Sequence, residues 1–196
     1  MTHDEGWVSS LRDALAGRPR RSLRPMSMTS VAAVLVVLLE ELPSVEVLLE
    51  RRSGRLPRHA GQYALPGGRV DRDDPDAEAA AVRETEEETG LDGRQLTVLG
   101  RLADRRTGTG WVITPVVATV PGSVRLAPNR NEVAELVRMP ARVVCDDSSY
   151  RTVVRRQQGL LFRSTALVWQ RRVVWGATAQ ILRSLGRVLR TVDGPW

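Results

Sequence analysis

The feature that most limits the fold of this chain is an uninterrupted run of nine apolar residues, VAAVLVVLL, from Val31 to Leu39. A membrane-spanning helix needs about 20 such residues, roughly twice as many. We therefore interpret the run as a buried strand. A second apolar stretch, Val45 to Leu49, follows a turn around the residues ELPS, and the two stretches predict a β-hairpin.

Helices are predicted near both ends of the chain. Residues 5–16 can form a short amphipathic helix that ends at Gly17, with Trp7, Val8, Leu11 and Leu15 on its buried side. A basic linker, residues 18–25, follows it. Residues 175–190 predict a second amphipathic helix, whose buried stripe contains Ile181, Leu185 and Val188.

Strands are predicted between these helices. Residues 96–105 and 111–120 have strand patterns and are joined by a TGTG turn, whereas residues 150–174 are only weakly strand-like. A chain of 196 residues is long enough for one substantial core. The mixture of elements favours a single-domain α/β (α+β) sandwich with a mixed sheet.

The most clearly marked helix runs from about Pro75 to Thr89. Asp74 is its predicted N-cap, Pro75 suits the first helical position, and Gly90 suits the C-terminal cap. The helix ends in RETEEETG, with four glutamates within five positions. Because carboxylates one turn apart repel each other by about 0.2–0.5 kcal/mol per pair, the cluster is either a solvated face or a cation site.

Three of these glutamates share one side of the helix. Glu84 and Glu88 are one turn apart and Glu87 is adjacent, whereas Glu86 points away. A site made only of carboxylate oxygens suits a hard divalent cation, so the pattern predicts Mg²⁺ or Mn²⁺. Arg83 can hold one of the carboxylates through a bidentate contact.

The segment before the helix, residues 50–74, lacks periodicity and is predicted to be a long loop. Loops of this length in a compact domain are usually functional. The loop contains PGG at residues 66–68, and glycines there allow backbone amides to approach a ligand closely. His59 is expected to form hydrogen bonds within the loop.

Together, GGRVDRDDPDAEAAAVRETEEETGL (residues 67–91) resembles the signature of the Nudix hydrolases. Thr85 stands where that signature has an aliphatic residue. The spacing from Gly68 to Arg83 is also one residue longer, so the first glutamate of the signature has no clean counterpart. The positions that match are Arg83, Glu84, Glu87, Glu88, Gly90 and Leu91.

The preceding residues, LLERRSGRLPRHAGQYALPGG (48–68), resemble the additional motif of the coenzyme A pyrophosphatase branch of that family. Pro57 and Leu65 replace an arginine and a phenylalanine of the motif. The matching residues are Arg52, Ser53, Gly61, Pro66, Gly67 and Gly68. The resemblance implies a Nudix-type α/β/α sandwich at residues 29–192, after an N-terminal helix and basic linker at residues 1–28.

The resemblance also implies a reaction, the hydrolysis of coenzyme A to 3',5'-ADP and 4'-phosphopantetheine. Divalent metal ions held by Glu84, Glu87 and Glu88 would neutralise the diphosphate and activate water. The expected catalytic residues are Glu87 as the base, Glu132 as a second candidate for it, and Arg83. The residues expected to bind the substrate are Arg52, Arg55 and Arg58, which suit its 3'-phosphate, and Gly67 and Gly68.

Composition excludes several other kinds of site. All 29 basic residues are arginine, so neither a Schiff-base lysine nor the lysine of a Walker A loop is available. Two histidines, His3 and His59, and one cysteine leave no zinc-finger arrangement, and neither histidine lies in a motif that suggests a Ser-His-Asp triad. Because Cys145 is alone and the N-terminus lacks the apolar core of a signal peptide, a cytoplasmic location is expected.

Two alternatives remain open at this point. A related hydrolase would act on ADP-ribose, a dinucleotide or a nucleoside triphosphate. A non-catalytic nucleotide or RNA-binding module is suggested by the sequence pI near 10.9. Scattered arginines and sparse aromatic residues argue against nucleic acid as a partner. The expected partner is a small nucleotide diphosphate resembling coenzyme A, without a membrane, and a homodimer is compatible with the sequence.

Overall fold

The predicted hairpin lies in the centre of a mixed sheet. A computed structural model of the chain describes residues 6–18, 22–25, 30–41, 43–157 and 160–196. His3, residues 19–21 of the predicted linker and Leu42 of the predicted turn lie outside these residues. Strand β1 (Val31–Glu41) pairs antiparallel with β2 (Ser44–Arg52), which confirms the hairpin.

The main sheet is built outward from β1. On the other side of β1 lies β7 (Val112–Pro121), which runs parallel to it. The remaining strands of this sheet are β3 (Tyr63–Ala64), β4 (Gly67–Arg69), β5 (Thr97–Arg101), β6 (Arg105–Arg106) and β8 (Val133–Pro140). Strands β5 and β6 pair with β7, β3 and β8 pair with β2, and β4 pairs with β1.

Alternating side chains of β1 divide the core into two layers. Leu35 and Val37 point to the layer that contains helix α2 (Ala77–Thr89), whereas Val36 and Leu38 point to the opposite layer. That layer holds the buried side chains of α1 (Gly6–Ala16), α3 (Ala141–Cys145) and α4 (Ala177–Leu189). The apolar run is therefore buried on both faces, and the predicted α+β sandwich with a mixed sheet is confirmed.

The two terminal helices bury the faces that their periodicity predicted. Trp7, Leu11 and Leu15 of α1 and the three-residue stripe of α4 are buried in one shared core. Helix α1 thus packs with the rest of the molecule, and the boundary at residue 28 stays a prediction. Within the described residues, no helix combines the length and apolar character needed to cross a membrane.

A second, three-stranded antiparallel sheet accounts for the weakly patterned region after residue 150. It consists of β9 (Tyr150–Gln157), β10 (Leu160–Trp169) and β11 (Arg172–Trp175), with β10 in the middle. Strand β11 packs beside β3, and α4 packs against β10 and β11. This sheet therefore adjoins the β3 edge of the main sheet.

The predicted start of the acidic helix was wrong. Helix α2 begins at Ala77, and its N-cap is Asp76, whose carboxylate accepts hydrogen bonds from the amides of Glu78 and Ala79 at 2.8 and 2.9 Å. The sequence offers an aspartate on each side of Pro75, and the one after it has the extended backbone of an N-cap. Asp74 binds an arginine instead. The predicted C-cap, Gly90, is confirmed by its left-handed conformation.

We expect Asp76→Ala to lower the free energy of unfolding by about 1 kcal/mol, because two helix amides lose their acceptor. Asp76→Asn keeps that acceptor but loses the ion pair of Asp76 with Arg101, 3.1 Å away. Urea denaturation of both variants measures the difference. Equal destabilisation by the two variants would assign the effect to the ion pair and contradict the capping role.

Candidate active site

Helix α2 packs against β4 so that two of its glutamates contact the glycine pair. The Gly67 amide donates a hydrogen bond to Oε2 of Glu88 at 2.7 Å. A Cβ atom added at Gly68 would overlap the carboxylate of Glu84. Glycine at both positions therefore lets these carboxylates lie directly against the backbone of β4.

A third carboxylate, Glu50, belongs to the same cluster and was missed by the sequence analysis. Glu50 is fully buried and Glu88 is 3% exposed. Arg52 lies against both, with Nη1 3.3 Å from Oε1 of Glu50 and 3.6 Å from Oε1 of Glu88. Glu50 lies two residues after Leu48 and therefore points to the same side of β2, the side that faces α2. The signal in the sequence was an acidic residue at a strand position where the alternation predicts burial.

When ionised, the carboxylates of this cluster carry more negative charge than Arg52 can balance. Burial raises the pKa of Glu50, and it raises the pKa of Glu88 with a further contribution from the charge of Glu50. Burial also raises the pKa of Glu84. Oε2 of Glu50 is buried without a hydrogen-bond partner. A divalent cation bound by oxygen ligands would compensate for this charge, so the residues fit Mg²⁺ or Mn²⁺.

Arg83 occupies the position between the helix and the preceding loop. Its Nε and Nη2 atoms donate to the two carboxylate oxygens of Asp74 at 3.0 and 2.9 Å. Its Nη1 atom contacts Glu84 at 2.9 Å and Glu87 at 3.3 Å. The bidentate contact predicted for Arg83 thus goes to Asp74, whose pKa it lowers, while the predicted metal ligands receive single contacts.

These contacts determine how the predicted metal ligands are arranged. In the part of the chain that the structure describes, no three His, Cys, Asp or Glu side chains already stand in a ligand geometry. Glu87 is the most open of the trio, with 59% of its side chain exposed. Arg83 contacts one oxygen each of Glu84 and Glu87, so the second oxygen of each carboxylate is left for a cation. The metal role of the trio stays a prediction.

Glu132 lies near this cluster, immediately before β8. Its carbonyl accepts a hydrogen bond from the amide of Ser53 at 2.6 Å, which fixes it beside Arg52. Its charge contributes to the raised pKa of Glu50. The structure thus brings Glu132 close to Glu50, and its catalytic role stays a prediction.

A cavity of about 910 Å³ reaches Arg52 and Gly68, which contact the carboxylates of Glu88 and Glu84. Two of the predicted substrate arginines, Arg52 and Arg58, line it, as does Gly68. Arg55 is exposed and does not line this cavity. His59 also lines it and contacts Gln62 at 3.1 Å, which confirms the expected hydrogen bond within the loop. Residues of the wall that the sequence analysis did not single out include Arg69, Trp111, Arg155, Phe162 and Trp175.

Comparison with known proteins identifies relatives over most of the chain. The model of the NUDIX domain family matches residues 28–157. Proteins of Yersinia pestis (strain Pestoides F) and Yersinia pseudotuberculosis (serotype O:1b), both named uncharacterized Nudix hydrolase NudL, are 35% identical over 156 residues. That match covers 80% of this chain and 78% of theirs.

Solved structures of similar fold are also available. A Nudix hydrolase from M. smegmatis, RenU, is 32% identical with a TM-score of 0.51, covering 60% of this chain and 74% of that one. A MutT/nudix family protein from Enterococcus faecalis is 21% identical with a TM-score of 0.54, covering 87% of this chain and 66% of that one. The second match concerns the fold alone.

Proposed function

Because this chain belongs to the Nudix hydrolase family, we propose that it hydrolyses the diphosphate of coenzyme A or its derivatives, releasing 3',5'-ADP and 4'-phosphopantetheine. The observation that carries the proposal is the location of the additional motif. Arg52, Arg58 and Gly68 of residues 48–68 line the cavity. Of these, Arg52 contacts Glu88 and Gly68 contacts Glu84. A motif that resembles the coenzyme A branch therefore lies where a diphosphate substrate would bind.

The charge of the cavity wall supports a substrate with several phosphates. Arg58, Arg69 and Arg155 line the cavity, and a guanidinium binds phosphate oxygens through a planar fork. The cavity volume also lies within the usual range for sites that hold small molecules. A diphosphate at the carboxylate end and a 3'-phosphate near the arginines would satisfy both groups of residues.

The two departures from the coenzyme A motif have different consequences. Leu65 is buried in the hydrophobic core, so replacing the motif's phenylalanine there changes packing and not substrate contacts. Pro57 removes a positive charge from the loop. Arg58 is next to it and lines the cavity, so Arg58 is a better substitute for that charge than Arg55.

The proposed reaction breaks the bridging P–O bond of the diphosphate as a water oxygen attacks phosphorus. Glu84, Glu87 and Glu88 would hold Mg²⁺ or Mn²⁺, which would supply charge neutralisation and lower the pKa of a water. Where Glu87 is not fully engaged as a ligand, its carboxylate would accept the proton of the attacking water, and Glu132 is the second candidate for this role. Arg83 orients Glu84 and Glu87 from the side of Asp74.

Incubating the full chain with coenzyme A and Mg²⁺ should yield equal amounts of 3',5'-ADP and 4'-phosphopantetheine, identified by chromatography and mass spectrometry. Pro57 stands where the coenzyme A motif has an arginine, and the missing charge favours an alternative function, the hydrolysis of a different nucleoside diphosphate derivative. ADP-ribose, a dinucleotide and a nucleoside triphosphate are therefore assayed in parallel. Turnover of coenzyme A no faster than turnover of the others would contradict the proposed substrate.

A further inference from the structure

Two arginine–tryptophan pairs stand on the wall of the cavity, and they come from different sheets. The guanidinium of Arg69, at the end of β4, lies 5.6 Å from the ring centre of Trp111, just before β7. The guanidinium of Arg155, on β9, lies 4.2 Å from the ring centre of Trp175, the last residue of β11. The cavity thus has a cationic and aromatic surface on each of two sheets.

The register of the second sheet explains why its contribution faces the cavity. Arg155 is directly opposite Phe162, and Trp175 is directly opposite Ala166. Positions 162 and 166 of β10 are an even number of residues apart and therefore share one face. Arg155, Phe162 and Trp175 consequently all lie on the cavity side. Phe162 and Trp175 come after residue 157, where the match to the family model ends.

This surface has the chemistry of a nucleotide site. A purine base stacks on tryptophan, on phenylalanine and on the plane of a guanidinium, while the same guanidinium binds phosphate. Arg69 directly follows Gly68, which touches the carboxylate of Glu84, so this wall begins at the reactive end of the cavity. A nucleotide bound along it would present its 5'-phosphate to the carboxylates.

We propose that the pairs Arg69–Trp111 and Arg155–Trp175 bind the purine nucleotide half of the substrate. The base stacks against Trp175 and Phe162, and the 3'-phosphate on the ribose binds Arg155 and Arg58. The assignment rests on the proposed function for the identity of the nucleotide, an adenosine with 3'- and 5'-phosphates. The other half of the substrate, 4'-phosphopantetheine, lies outside this surface.

The test measures binding of 3',5'-ADP to the full chain by isothermal titration calorimetry without metal. Because stacking on an aromatic side chain contributes about 1–3 kcal/mol per base, Trp175→Leu should weaken binding about tenfold or more. Trp111→Leu removes only the ring beside Arg69 and should weaken binding less. Trp175→Phe keeps an aromatic ring and should retain most of the affinity. Arg155→Gln should weaken 3',5'-ADP but not adenosine, and it tests the site if a tryptophan variant fails to fold.

The same sheet offers a matched control. Trp169, at the end of β10, has the guanidinium of Arg172 5.5 Å from its ring centre but does not line the cavity. Trp169→Leu should leave the affinity for 3',5'-ADP unchanged. An equal loss in Trp169→Leu, unchanged binding in the variants at positions 111, 155 and 175, or no binding by the parent chain would each overturn the proposal.

Hydrolysis assays separate this inference from the proposed function. If coenzyme A is not cleaved but binding of 3',5'-ADP depends on Trp175, the nucleotide site stands and the proposed substrate is wrong. If coenzyme A is cleaved and Trp175→Leu leaves kcat/KM unchanged, the nucleotide site is wrong and the proposed substrate stands.

Discussion

Glu88→Gln is expected to lower kcat by a factor on the order of 10²–10³ without unfolding the protein. The amide oxygen of glutamine can still accept the hydrogen bond from Gly67 that Glu88 accepts at 2.7 Å. The substitution removes one negative charge from a buried cluster that contains Glu50 and has Arg52 as its ion-pair partner. The variant should therefore lose the charge needed for a divalent cation and keep its shape.

Two measurements test this expectation together. Steady-state kinetics with Mg²⁺ and the best diphosphate substrate give kcat. Thermal unfolding with and without Mg²⁺ gives the stabilisation by the cation, which should be present in the parent chain and reduced in the variant. Without Mg²⁺ the variant should unfold at the same temperature as the parent or higher, because like charges no longer crowd the cluster.

Glu86→Gln is the matched control, because it makes the same change on the same helix away from the cluster. Glu86 accepts a hydrogen bond from the Gly93 amide at 2.7 Å, and glutamine can keep that contact. The control should match the parent in kcat and in its response to Mg²⁺. Full activity in Glu88→Gln, or an equal loss in Glu86→Gln, would contradict a special role for Glu88.

The parts of the fold that could be predicted from the sequence are those encoded by local patterns. Each of these patterns involves residues that are close together along the chain. They are the Val31–Leu39 run, the apolar stripes of the two terminal helices and the glycine that follows Thr89. The start of α2 was misplaced because aspartates flank Pro75 on both sides, and only the backbone conformation distinguishes them. The second sheet had a weak pattern because it is arginine-rich and several of its apolar residues are exposed, among them Val154, Leu161 and Val173.

The candidate site likewise contains some residues that local patterns predict and others that only tertiary packing brings into the site. Glu84, Glu87 and Glu88 could be predicted because helical spacing alone brings them onto one side. Glu50 joins them only because α2 packs on the sheet that contains β2, which brings together residues far apart in sequence. The cavity wall made by Arg155 and Trp175 depends on the register of three strands. Motif spacing carries no information on such contacts, so these residues required the structure.

Gly67→Ala is expected to lower the free energy of unfolding by about 2–4 kcal/mol and to abolish hydrolysis. Gly67 has a φ of +140°, a conformation that side chains with a Cβ atom rarely adopt. An added Cβ would overlap the carbonyl oxygen of Ala33 and lie 2.6 Å from Cα of Val34, both part of the β1 backbone. Strand β4 must therefore move away from β1, which also withdraws the Gly67 amide from Glu88. Chemical denaturation and an activity assay measure the two effects.

Two other glycines separate the causes of that loss. Gly61 has a φ of +69° but open space around an added Cβ, so Gly61→Ala should cost only the backbone strain, about 1–2 kcal/mol. Gly54 has neither a positive φ nor a close neighbour, and Gly54→Ala should change stability by less than about 0.5 kcal/mol. The contact with β1 therefore predicts that the loss of stability is largest for Gly67→Ala, smaller for Gly61→Ala and smallest for Gly54→Ala. If Gly67→Ala cost no more than Gly61→Ala, β4 would not be held tightly against β1, and the glycine pair would not fix the carboxylates of α2.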